Sequence, residues 1–255
     1  MNVTRTIAKL ILYYLAYQMG FSAVMLVISK FVPMDMVTIT SLAMVASTLM
    51  MTWHLLRHGY VRLAEDGYRA VSPLVMGVSI VFIYSAMYIA NLLVEQSGLP
   101  NTMEETFLAM SRNPIGILSI TLLAPILEEL LFRGAIQGAL QRQIKPWGAI
   151  MISSLLFGLV HMNLAQIPFA FFLGIIFGWL YYRTGSLLPG VVGHILNNTV
   201  ATITMNLYGN ATIEECMPSD TAMWLWALVA LVAFVVAGMW LNRELKCPQD
   251  EKNAV

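Results

Sequence analysis

Apolar residues run in long unbroken blocks along this chain, and polar positions gather between the blocks. Eight blocks can be drawn, at 10–29, 36–56, 73–94, 115–140, 147–161, 167–182, 188–207 and 221–241. Continuous apolar runs near the length needed to cross a bilayer, about 20 residues, predict transmembrane helices. Barrel strands would instead alternate over about ten residues. The pattern therefore predicts an all-α fold, a polytopic membrane bundle of about eight helices.

Composition agrees with the pattern. Hydrophobic residues make up 58% of the 255 and charged residues only 11%, against about 25% charged in soluble domains. Mean hydropathy is +0.73. The formal net charge is zero, so no basic surface points to nucleic acid. Cys216 and Cys247 are too few for a disulfide framework. Arg5 and Lys9 before the first block look like the start of a signal sequence, but the block is longer than a signal core and no A-x-A-like site follows, so it reads as a retained span.

Basic residues orient the bundle. Eleven fall on one side, at Arg5, Lys9, Arg57, Arg62, Arg69, Arg142, Lys145, Arg183, Arg243, Lys246 and Lys252, and two on the other, at Lys30 and Arg112. The positive-inside rule then places both termini in the cytoplasm of a multi-pass inner or plasma membrane protein. The chain divides into 1–113 with three spans, 114–207 with four, and 208–255 with a last span and a cytoplasmic tail. The first three spans and the last carry almost no polar chemistry; His54 and His58 flank the Arg57 loop and read as interfacial. The segment 95–113 reads as an amphipathic piece along the outer surface.

Chemistry concentrates in 114–207. Glu128, Glu129 and Arg133 lie inside an apolar run, in the stretch PILEELLFRG. A charge at membrane depth costs at least a few kcal/mol and marks function by default. Glu129 and Arg133, at i and i+4 in the favourable order, are expected to neutralise each other. Glu128 is left facing Leu131, Phe132 and Ala135 on its own helix, so its partner must come from another span. His161, in FGLVH, and His194, in GHILNN, lie in later apolar spans, and Asn198 shares a helical face with His194. Two chemistries stay open for Glu128, His161, His194 and Asn198. A carboxylate in an apolar pocket can take a proton from water while imidazole and amide groups serve an oxyanion. Alternatively Glu128, His161 and His194 form a two-His, one-carboxylate zinc site. No H-E-x-x-H motif, intramembrane aspartate pair or G-x-S-x-G elbow is present.

Glu128-Glu129-LLF-Arg133, Phe157-GLV-His161 and His194-ILN-Asn198 stand in this order in successive spans. The set resembles the CPBP family of intramembrane proteases, which includes the type II CAAX prenyl proteases and bacterial Abi-type proteins. The resemblance covers about 114–207 and implies an eight-helix membrane endopeptidase, metal-free or zinc-dependent. It further implies Glu128 activating water with help from His161, and an oxyanion site at His194 and Asn198. Glu129 and Arg133 would fix the motif helix. The implied partners are the lipid bilayer and a membrane-associated peptide, C-terminally lipidated in the CAAX branch. Two rival readings come from other classes: a proton-coupled transporter using the Glu, His and Arg groups as a relay, and a non-catalytic membrane immunity or scaffold protein.

Overall fold

A computed structural model describes residues 3–61, 69–209 and 211–245. Arg62, Asp66, Lys246, Cys247, Asp250 and Lys252 lie outside the described residues. Within them the chain is helical: α1 (Val3–Ile28), α2 (Met36–Arg57), α3 (Pro73–Gln96), the short α4 (Glu104–Met110), α5 (Pro114–Gln141), α6 (Pro146–Leu159), α7 (Gln166–Thr184), α8 (Leu188–Tyr208), the short α9 (Ile213–Cys216) and α10 (Asp220–Glu244). Each of the eight apolar blocks forms one long helix, as the pattern predicts, and the fold is a polytopic membrane bundle. The segment 95–113 does contain a short helix, α4.

Helix starts follow from local chemistry. Asp35, Ser72, Asn113 and Ser219 accept hydrogen bonds from the first-turn amides of α2, α3, α5 and α10. Proline opens α3, α5, α6 and α8, at Pro73, Pro114, Pro146 and Pro189, where its missing N–H costs nothing. Gly185 ends α7 at φ +63°, a left-handed backbone that glycine adopts without a Cβ clash.

Among the described residues six helices are long and apolar enough to cross a bilayer: α1, α2, α3, α5, α7 and α10. The other two long helices both carry site residues or lead to one. α8 has the length, at 21 residues, but His194, Asn197, Asn198 and Asn206 lower its apolarity. α6 has only 14 residues, about 21 Å at 1.5 Å per residue. The sequence suggests that the sixth span is the short one. The structure makes it 19 residues and moves the shortfall to the fifth.

Two apolar clusters hold the bundle. Leu10, Met51 and Leu55 of α1 and α2 pack with Leu127, Leu131, Phe132 and Ile136 of α5, and with Ala149, Phe157 and Val191 of α6 and α8. Val75, Phe82 and Ile83 of α3 pack with Leu173, Phe177 and Leu180 of α7 and Ala237 and Leu241 of α10. α5 is thus wrapped by neighbours, and its segment Glu129–Gln137 is buried along its whole length. The first two spans are less plain than their sequence suggests. Ser47 donates to the Gln18 side chain at 2.8 Å, and the Tyr17 hydroxyl lies 3.1 Å from His54 Nδ1. His54 is buried within the bundle, with the rings of Tyr13, Tyr17 and Tyr60 centred 4.7, 5.9 and 5.9 Å from its own.

Candidate active site

The motif helix α5 is not a regular α-helix. Two stretches, Ser119–Leu123 and Glu129–Gln137, wind as π-helix, a form that clusters at functional sites. Proline accounts for the first. The Ala124 amide bonds back five residues to the Ser119 carbonyl, so the next carbonyl, of Ile120, would take its bond from residue 125. Pro125 has no N–H. The Asn198 side-chain amide of α8 supplies the missing donor, at 2.8 Å from the Ile120 oxygen. Asn198 Oδ1 in turn accepts from Asn197 at 2.7 Å.

The second π stretch carries the charges. Glu129 and Arg133 are both fully buried, and Glu129 Oε1 lies 3.1 Å from an Arg133 guanidinium nitrogen. This is the pair their spacing predicts. The guanidinium is covered by the rings of Phe157, 4.3 Å away, and Phe177, 5.3 Å away, which replace part of the lost hydration. Glu129 Oε1 also takes His194, whose Nδ1 lies 3.1 Å away. His194 therefore has its Nδ1 hydrogen on a carboxylate and its other edge aimed elsewhere, the arrangement that fixes a ring's tautomer and direction. Phe177 stacks on that ring and Phe157 meets it edge-on.

What lies at the other edge is Glu128. Its Oε2 is 3.6 Å from His194 Nε2, and its side chain stays partly exposed, at 13%. The carboxylate without a partner on its own helix does look across the bundle, to α8. His161 is placed differently. It follows the end of α6, half-buried, and its Nδ1 lies 2.8 Å from the Phe157 carbonyl oxygen. A carbonyl only accepts, so Nδ1 carries the hydrogen, and in the neutral ring Nε2 is the acceptor. Among the described residues His161 makes no hydrogen bond or ion pair with Glu128; the Phe157 ring, 5.0 Å from one imidazole and 5.9 Å from the other, stands between His161 and His194. Among these residues no group of three or more His, Cys, Asp and Glu side chains is placed to hold a metal ion.

Several supporting residues escape the motif reading. A Cβ on Gly190 would sit 2.8 Å from Glu129 Oε2, so only glycine lets α8 start beside that carboxylate. The Ser153 hydroxyl donates to the Phe132 carbonyl at 2.6 Å, and Gln137 donates to the Gly178 carbonyl at 2.8 Å. Gly178 in turn has room for no Cβ against Gln137. Gln137 was open to detection as a polar residue one turn past Arg133 in an apolar run; Gly190 was hidden in a Pro-Gly pair that resembles an ordinary turn.

Residues 111–200 match the sequence pattern of the family described as type II CAAX prenyl endopeptidase Rce1-like. The membrane-embedded CAAX protease MroQ of Staphylococcus aureus (strain USA300) is 33% identical over 133 residues, 48% of this chain and 53% of MroQ. YdiL of Bacillus subtilis (strain 168), described as a candidate membrane peptidase, is 36% identical over 90 residues, 35% of this chain and 37% of YdiL. The chain therefore matches about half or less of the length of these relatives. No solved structure matches it.

Proposed function

Proceeding from an Rce1-like CAAX protease domain at residues 111–200, we propose that the protein is an intramembrane endopeptidase that hydrolyses a peptide bond in a membrane-associated substrate. The observation that carries this reading is the 3.6 Å approach of Glu128 to His194 Nε2, with His194 held from behind by Glu129 and Arg133. Two carboxylates and one guanidinium leave the set one negative charge in excess.

In this mechanism Glu128 takes a proton from a water beside the Glu128–His194 edge, and the oxygen attacks the scissile carbonyl. The charge that develops on the carbonyl oxygen is met by the second N–H of Asn198, one turn along α8 from His194. The proton held between Glu128 and His194 then passes to the leaving amine as the C–N bond breaks. His161, through its acceptor Nε2, orients the attacking water. This shifts weight from the sequence expectation, which pairs Glu128 with His161 and gives His194 to the oxyanion. With both His194 nitrogens turned to carboxylates, a proton-sharing role suits it better. We assign the cytoplasmic side to both termini from the placement of Lys and Arg, and a C-terminally lipidated peptide as the substrate class from the family.

The test is cleavage of a membrane-delivered peptide library by purified protein and its Glu128→Ala variant, with elemental analysis of both. Loss of cleavage at unchanged thermal stability supports the reading. Undiminished cleavage removes Glu128 as the base, and stoichiometric zinc lost together with activity on chelation replaces the mechanism with a metal-dependent one.

A further inference from the structure

The α6–α7 turn, residues 160–165, interrupts the helices beside the site, on the side of the bundle that carries α4. Its residues divide sharply. Met162, at φ +51°, is 76% exposed, whereas Asn163 is fully buried.

Among the described residues the Asn163 side chain makes one hydrogen bond: its Nδ2 donates to Asn101 Oδ1 at 2.8 Å, and its buried Oδ1 has no hydrogen-bond partner. Asn101 belongs to the strap formed by residues 97–113, which includes α4. The far end of that strap is tied down twice: Asn113 donates to the Thr38 hydroxyl at 3.2 Å, and the Ser111 carbonyl accepts from Asn206 at 2.6 Å. Among the described residues the near end makes its side-chain hydrogen bond to the α6–α7 turn through Asn101, which is itself exposed. Two residues before Asn163 stands His161, whose acceptor nitrogen the proposed hydrolysis uses.

The geometry points to a latch: the Asn101–Asn163 hydrogen bond holds the strap against the turn that carries His161, and its release admits substrate peptide and water to the site. The strap moves between two fixed ends, its start at the end of α3 and its doubly tied end at Ser111 and Asn113. A peptide carbonyl would then replace Asn101 Oδ1 as acceptor for Asn163 Nδ2, and a peptide N–H would satisfy the orphan Oδ1. This rests on the peptidase reading for its purpose, but its movement can be measured without any activity.

The experiment replaces Asn101 and Asn163 by cysteine in a Cys216→Ser, Cys247→Ser background, and bridges the pair with a short bis-methanethiosulfonate that reductant removes. Carbethoxylation of His161 by diethyl pyrocarbonate, read by mass spectrometry in membranes, reports access to the turn; cleavage of the peptide library is followed in parallel. The latch predicts at least tenfold slower modification in the bridged form, restored by reductant, and faster modification than wild type in Asn101→Ala, which removes only an exposed side chain. Equal rates in bridged, reduced and Asn101→Ala proteins overturn it. Bridge-dependent modification without cleavage in any form leaves the latch standing and removes the peptidase reading instead.

Discussion

α5 and α10 are both long apolar helices, yet they live in different solvents. The most apolar stretch of α5 is 56% buried inside the protein; that of α10 is 11% buried, and that of α1 not at all. α5 carries two carboxylates and a guanidinium, while the middle of α10 has no charge between Asp220 and Arg243. Lipid cannot solvate an ion pair, whereas neighbouring helices can, with Phe157 and Phe177 on the guanidinium and His194 between the carboxylates. The difference teaches that charge in this membrane protein follows enclosure, and that the enclosing helices are chosen for glycine and ring contacts as much as for bulk.

That contrast can be broken at its centre. Glu128→Gln keeps the shape of the side chain and removes the proposed base, so peptide cleavage should fall by about 10²–10⁴-fold while thermal unfolding in detergent stays at or above the wild-type temperature. Arg133→Ala should do the reverse kind of damage. It leaves the buried Glu129 charge uncompensated, costing about 3–5 kcal/mol, and the Glu129→Gln, Arg133→Met double variant should recover most of that stability in the same unfolding assay. Gly190→Ala pushes a methyl group against the Glu129 carboxylate. We expect about 1–3 kcal/mol of destabilisation and a drop in cleavage larger than the stability loss explains, because His194 shifts with its anchor. At the other pole, Val232→Ala on the lipid-facing side of α10, where Val232 is exposed, should stay within about 0.5 kcal/mol and leave cleavage unchanged. A large effect there would mean that α10 packs against something more than lipid.

The helices themselves were legible along the chain, since each apolar block is long enough to commit its backbone to internal hydrogen bonds in a membrane. The Glu129–Arg133 pair was legible too, because i and i+4 spacing brings the two side chains together on any helix. Pro125 was visible as a residue, but its consequence was not. Reading an ideal helix through it hides the π turn, and with it the reason that Asn198 reaches α5. His54 reads as interfacial from its place beside the Arg57 loop, but the ring cluster around it was not legible, because Tyr13 and Tyr17 come from α1.

The sequence by itself determined that this is a membrane bundle with its polar chemistry in one central segment, because hydrophobic length and charge at depth are local properties of the chain. Only the tertiary structure decided which imidazole faces Glu128. Glu128, His161 and His194 are far apart in the chain, and ring contacts around Phe157 and Phe177, together with the glycine at 190, settle which of them meet. Those contacts depend on how helices cross, and crossing is set by side-chain packing across the whole bundle rather than by the spacing of any motif.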